Sequence, residues 1–147
     1  MLDEMDKRIV RVLQKNARTP NTEIARALGV TETTIRNRVA RLLDEKQIGV
    51  VAVVNPEATE ATISAFLEIS LHPKNLDAVV EKLRARGEVR YLGLTLGRAQ
   101  IIIEAFFRDH EHLLAFQTGV VATLPGVTTV ETAIVVRVAK FSYEWEI

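Results

Sequence analysis

The sequence predicts an α+β chain in two parts, three short helices followed by a β-α-β-β-α-β domain, and three observations predict it. Apolar residues recur at helical spacing through the first third, β-branched runs begin at Ile48, and beyond Ala61 the chain nearly repeats itself at a displacement of 38 residues. A chain of 147 residues that is 48% apolar is long enough to bury a core in one mid-sized domain or two small ones, which excludes a disordered tail or a fibre. It has no cysteine, so neither a disulfide framework nor a thiolate zinc site is available. The acidic start "MLDEMDKRIV" is unlike a signal peptide, and no run approaches the ~18 apolar residues of a membrane span, so a soluble cytoplasmic protein is expected.

In the first helix Met5, Ile9, Val12 and Leu13 form one apolar stripe, leaving Asp6, Lys7, Arg8, Arg11 and Lys15 on the polar face. "NARTPN" breaks it with Pro20. Ile24, Ala25 and Leu28 then form a short second stripe ending at Gly29. Thr31 is placed to cap a third helix by accepting a free backbone N–H, and Ile35, Val39, Leu42 and Leu43 supply its buried side.

From Ile48 the texture changes. "IGVVAVVN" reads as a strand, Asn55-Pro56 stops it, and a polar stretch with Glu57 and Glu60 reads as a linker. Ile63, Ala65, Leu67 and Ile69 then alternate as a half-buried strand, as do Ile101, Ile103, Ala105 and Phe107 in the second copy. Each copy turns helical, through Leu76, Val79, Val80 and Leu83 in one and Leu113, Phe116, Val120 and Leu124 in the other. Each ends in a strand, "EVRYLGLTL" or "GVTTVETAIVV". Two such units in tandem make a ferredoxin-like split arrangement, one antiparallel sheet with both helices on one face. Nothing left in the chain is long enough to cover the other face, so a homodimer through this domain is expected. The expected boundaries are 1–49 for the helices, 50–60 for strand and linker, and 61–147 for the tandem domain.

The net charge of zero conceals an asymmetry. Residues 1–49 carry ten Lys/Arg against seven Asp/Glu, and residues 50–147 carry nine against twelve. A basic first part suits a polyanion partner, though a difference of three is weak by itself. The third helix is more specific. Its polar side presents Thr33, Thr34, Asn37, Ala40 and Arg41, with Arg36 and Arg38 on the flanks. A small residue at Ala25, a turn at Gly29 and a buried aliphatic at Ile35 have the spacing of a helix-turn-helix. In a DNA groove, Arg donates in bidentate fashion to guanine, Asn pairs with adenine, and Thr meets a thymine methyl or a phosphate. The bland alternative is a solvated helix face. Three arginines and no lysine behind such a turn favour nucleic acid.

These residues resemble a family. "LDEMDKRIVRVLQKNARTPNTEIARALGVTETTIRNRVARLLDEKQIGVVAVVNP" is similar to the N-terminal part of the leucine- and asparagine-responsive (Lrp/AsnC) transcription regulators, and "LPGVTTVET" to the end of their effector domain. The resemblance implies a sequence-specific regulator on a pseudo-palindromic operator, a homodimer assembling to an octamer, and an amino-acid effector bound between effector domains. It implies DNA contacts from Arg18 in the turn and from Thr31, Thr33, Thr34, Arg36, Asn37, Arg38 and Arg41. It places the effector by the loop Gly97, Arg98, Ala99 and Gln100, with Thr132 in the last strand. That loop commonly reads Gly-x-x-Asp, and here Gln100 replaces the carboxylate. Either the effector differs from the usual amino acids or there is none, and the four residues also suit a plain β-turn.

Other signals are weak. His72, His110 and His112 lack metal spacing, no phosphate loop or Ser-centred elbow appears, and neither a cofactor nor a catalytic residue is expected. Phe141, Tyr143 and Trp145 alternate in the tail, as packing residues do. Two rivals remain. Sirohaem decarboxylases share the implied architecture, but "VNPEATE" lacks the His-Arg pair associated with them. A chromosome-organising protein would bind DNA with the same helix and little sequence preference.

Overall fold

The computed structural model describes residues 1–54, 58–142 and 146–147, in two compact units. One comprises Met1–Val53 and Ala139–Ile147, the other Val54–Val138. The expected stop at Asn55-Pro56, the linker residue Glu57, and Tyr143 and Trp145 with the residue between them lie outside the described residues.

The first unit holds α1 (Glu4–Lys15), α2 (Asn21–Leu28) and α3 (Glu32–Asp44). Ile9, Ile24, Ala25 and Ile35 are buried at its centre, and Met5, Val12, Leu13, Leu28, Val30 and Val39 pack around them. Ala25 is 5% exposed among them, where a larger side chain would have to displace its neighbours. Helix α2 ends at Gly29 with φ 72°, a left-handed turn that costs glycine least. Thr31 starts α3, its hydroxyl accepting from the backbone N–H of Thr34. Contrary to expectation, Asp6 is not on the solvated face of α1. It is 1% exposed, because it belongs to a capping box with Asp3 and faces α3.

The second unit contains β1 (Ile63–Leu71), α4 (Leu76–Arg84), β2 (Val89–Leu94), β3 (Ile101–Phe107), α5 (His110–Gly119) and β4 (Val127–Ile134). The sheet order is β2-β3-β1-β4, and every pairing is antiparallel. The two copies of the repeat meet at its centre, Ile63 opposite Phe107 and Leu67 opposite Ile103. These residues, with Ala65, Ile69, Ile101 and Ala105, form one core with Val79 and Leu83 of α4 and Leu113 and Phe116 of α5.

The alternate residues of the strands face away from the helices. Phe66, Tyr91, Ile102 and Phe106 lie there with Glu68, Glu104 and Glu131, and among the described residues no element of this unit covers them. Tyr91 lies along the strand over Gly93, where a Cβ would meet its hydroxyl at 2.5 Å, so glycine makes room for the ring.

One expected strand is absent. Residues 49–54 form no ladder, and Val50, Val51, Val53 and Val54 are all exposed. Valine favours a strand only when a neighbour supplies hydrogen bonds and a surface to pack on, and the sheet closes without this segment.

Candidate nucleic-acid interface

The exposed side of α3 is narrower than its sequence suggests. Thr33, Arg36, Asn37 and Ala40 are exposed, while Arg38 and Arg41 are only partly so. Among the described residues no side chain holds Arg36 or Asn37. Arg18, exposed in the turn after α1, is likewise unpaired through its side chain, and its backbone N–H donates to Asn16 Oδ1 at 3.0 Å. Thr31 and Thr34 are occupied with the helix start, their hydroxyls 2.8 Å apart.

Arg38 and Arg41 do not lie free along the groove-facing side as expected. They are one turn apart and both reach the start of α1. Arg38 Nη1 donates to Asp6 Oδ1 at 2.8 Å and to Asp3 Oδ2 at 2.6 Å. Arg41 Nη2 donates to Asp6 Oδ2 at 2.6 Å, and its Nη1 reaches Glu45 Oε2 at 3.3 Å. Asp6 Oδ2 also accepts the Asp3 backbone N–H at 3.2 Å, so each carboxylate oxygen has a guanidinium. Burial pushes the Asp6 carboxyl up, the Arg41 and Arg38 hydrogen bonds pull it down, and the net direction is down. Asp3 is also lowered, chiefly by Arg38. These four side chains, with Asn37 and Met1, line an open depression of about 410 Å³. Sequence periodicity missed Asp6, although the Asp3-x-x-Asp6 spacing carries the signal of a capping box.

The loop between β2 and β3 holds the other expected site. Gln100 Oε1 accepts the Leu71 N–H at 2.9 Å, and the Gln100 N–H donates to Ile69 O at 3.1 Å. The amide that replaces the expected carboxylate thus closes the end of β1, where the register with β4 shifts between Ser70 and Leu71. Thr95 Oγ1 donates to the carbonyl of Ala99, which is buried, while Gly97 is exposed at the tip. Arg98 turns onto the open face of the sheet, 2.7 Å from Glu68 Oε2 and 3.0 Å from Glu131 Oε2. Thr132 does not join it. Opposite Leu67 in the β1–β4 ladder, it faces the helices, and its hydroxyl is buried without a partner. Gln100 and Arg98 are therefore satisfied within the chain, and Thr132 lies on the opposite face from Arg98.

A helix-turn-helix whose α3 exposes Thr33, Arg36 and Asn37, joined in one chain to a β-α-β-β-α-β sheet with an uncovered face, defines a two-domain DNA-binding protein with a separate assembly or ligand-binding module. Family comparisons divide the chain in the same way. Residues 2–43 match the AsnC-type helix-turn-helix domain and residues 64–145 the Lrp/AsnC ligand binding domain. The chain is 37% identical to the HTH-type transcriptional regulator LrpA of Pyrococcus horikoshii, over 95% of this chain and all of that protein. It is 33% identical to the regulator Ptr1 of Methanocaldococcus jannaschii, over 95% of each. Escherichia coli AsnC superposes with a TM-score of 0.89 at 27% identity, covering 96% of both chains. A Neisseria meningitidis regulator solved in complex with L-Met superposes at 0.91 with 22% identity, over 99% of this chain and 97% of that one. The protein belongs to the Lrp/AsnC family of transcriptional regulators.

No helix among the described residues is long and apolar enough to cross a membrane.

Proposed function

We propose that this protein reads a pseudo-palindromic operator as a homodimer, each α3 entering a major groove with Thr33, Arg36 and Asn37 toward the base edges and Arg18 on the phosphate backbone. The carrying observation is the exposed side of α3, where the one arginine left unpaired stands beside an unpaired asparagine. The arginine can donate twice to guanine O6 and N7, and the asparagine can donate to adenine N7 while accepting from its N6 amino group. Two-fold symmetry would place the two helices one DNA turn apart or a multiple of it.

The uncovered sheet face supplies the dimer surface. Phe66, Tyr91, Ile102 and Phe106 give it apolar surface interleaved with Glu68 and Glu104, and a second copy covers it by the same residues. Assembly of four dimers into an octamer is the further step the family suggests. An amino-acid effector is supported by the L-Met complex of the Neisseria relative. The loop of this chain meets such a ligand without a free carboxylate, since Gln100 is an amide bonded to Leu71 and Arg98 is bonded to two glutamates. An effector here would therefore have its amino group held by other residues than in a Gly-x-x-Asp loop.

Selection of binding sites from random duplexes at near-physiological salt tests the reading. Enrichment of a two-fold-related sequence is expected. Binding without enrichment would replace it with a chromosome-organising role, and absence of binding would return attention to an enzyme.

A further inference from the structure

We infer that Asp6 is a specificity-determining residue: by holding Arg38 and Arg41 it fixes how α3 is presented and withholds their charge from DNA, leaving base choice to Thr33, Arg36 and Asn37. The inference rests on the reading that α3 meets DNA.

Three features of the cluster carry it. First, each oxygen of one buried carboxylate takes a guanidinium, from positions one turn apart on α3. Apolar contacts such as Ile9 with Ile35 are non-directional and allow a helix to roll. Two charge-assisted hydrogen bonds from one helix to a single capped carboxylate fix that roll, because their directions are set. A roll of α3 would displace Arg36 and Asn37 from any base edge they had met.

Second, an ion cluster around a buried carboxylate is a poor device for stability alone, since well-packed apolar residues of similar volume often serve as well or better. Its presence here, where Ile9, Ile24, Ala25 and Ile35 already provide a core, points to orientation as its contribution.

Third, the cluster alters the charge that DNA meets. Two of the three arginines on α3 are paired with Asp3 and Asp6. A free guanidinium near the backbone attracts every sequence alike through released counterions, which raises random binding and lowers the ratio that a regulator depends on. Asp6 and Asp3 subtract that sequence-independent attraction.

The test uses the full-length protein, the operator obtained by selection, and a random duplex of equal length. Affinity for both is measured across salt, with circular dichroism and a thermal scan as the check on folding. For Asp6→Asn, random binding should tighten about tenfold and the salt slope should steepen by roughly 1, from Arg41, which keeps only its 3.3 Å contact with Glu45, while Arg38 keeps Asp3. The operator-to-random ratio should fall at least about tenfold. Asp3→Ser keeps a hydroxyl cap for α1 and should move slope and ratio the same way by less, because Arg38 retains Asp6. A merely structural residue would lower both affinities together and leave the slope alone, and that result overturns the inference. If Asp6→Asn does not fold, Asp3→Ser decides it by the same readout. If the unaltered protein shows no preference for any site, it is the proposed function that fails, and the slope on random DNA still decides whether Asp6 withholds charge.

Discussion

In the helical unit a buried carboxylate is held by two arginines, Asp6 between Arg38 and Arg41, whereas on the sheet an exposed arginine is held by two carboxylates, Arg98 between Glu68 and Glu131. The distances are alike, from 2.6 to 3.0 Å, and the surroundings are not. Asp6 is almost fully enclosed, and Arg98 is two-thirds exposed. Water screens the second cluster throughout, whereas in the first it reaches the guanidiniums and Asp3 but hardly the Asp6 carboxylate, so the first is the more strongly coupled to folding. Burial, more than bond length, decides what an ion pair does.

The largest effect that sharpens this contrast is Asp6→Ala. It removes the carboxylate that both guanidiniums share and half of the capping box, and should lower the unfolding free energy of the helical unit by about 2 to 4 kcal/mol in a urea titration. Glu131→Ala, its counterpart on the sheet, should leave the urea midpoint of the sheet unit in place. Equal losses at the two sites would break the comparison. The acid limb provides a second readout. Because the folded-state pKa of Asp6 is depressed, its contribution is full above the ordinary carboxylate range. It is lost as pH falls through that range to the folded value. Asp6→Asn should therefore flatten the acid side of the stability profile, and an unchanged acid side would count against the ion cluster.

Next in size are the free residues of α3. Arg36→Ala or Asn37→Ala should cost about 1 to 3 kcal/mol on the operator and little on random DNA, if they read bases. Arg18→Ala should weaken all sequences alike and flatten the salt slope by ~1. Equal losses of Arg36→Ala on both duplexes would move Arg36 into the backbone class with Arg18.

Gln100→Ala comes below these. It leaves the Leu71 N–H without its acceptor at the irregular end of β1 and should cost about 1 kcal/mol, seen as a lower thermal midpoint of the sheet unit. No change in the midpoint would remove Gln100 from the closure of β1.

Much of this was legible because periodicity reports burial. The alternation in 63–69 and 101–107 and the 38-residue displacement located the two central strands, whose sides are set by the pleat alone. The stripe Ile35, Val39 and Leu42 likewise located the core side of α3, although Leu43, expected beside them, is exposed. Periodicity failed where a side chain's fate depends on a distant partner. Charge alone assigns Asp6 to solvent, and Arg38 and Arg41, more than thirty positions away, join the nearby Asp3 N–H in making its burial tolerable. Arg38 and Arg41 were assigned to the polar side for the same reason. Val50 to Val54 carry the composition of a strand, but a ladder also needs a neighbour, which composition does not record. Thr132 was grouped with Arg98 by the family pattern, and the strand register puts them on opposite faces.

The smallest effect concerns Arg98 itself. Within one chain its exposed pairs contribute little, so at high salt, where the dimer should be equally tight with and without it, Arg98→Ala should leave the unfolding transition of the sheet unit where it is. A two-fold interface, however, sets each face against its own copy. Glu68, Glu104 and Glu131 would then meet a second set of the same carboxylates, with Arg98 bridging two of the three. Removing the guanidinium leaves like charges facing one another, a penalty that appears only on association. The Kd for dimerisation, from sedimentation equilibrium, should rise about fivefold at low salt, and added salt should erase most of the difference. A dimer indifferent to Arg98 at every salt concentration would place the two-fold contact away from this end of the sheet, and a shifted unfolding midpoint would show the cluster coupled to folding as the Asp6 cluster is.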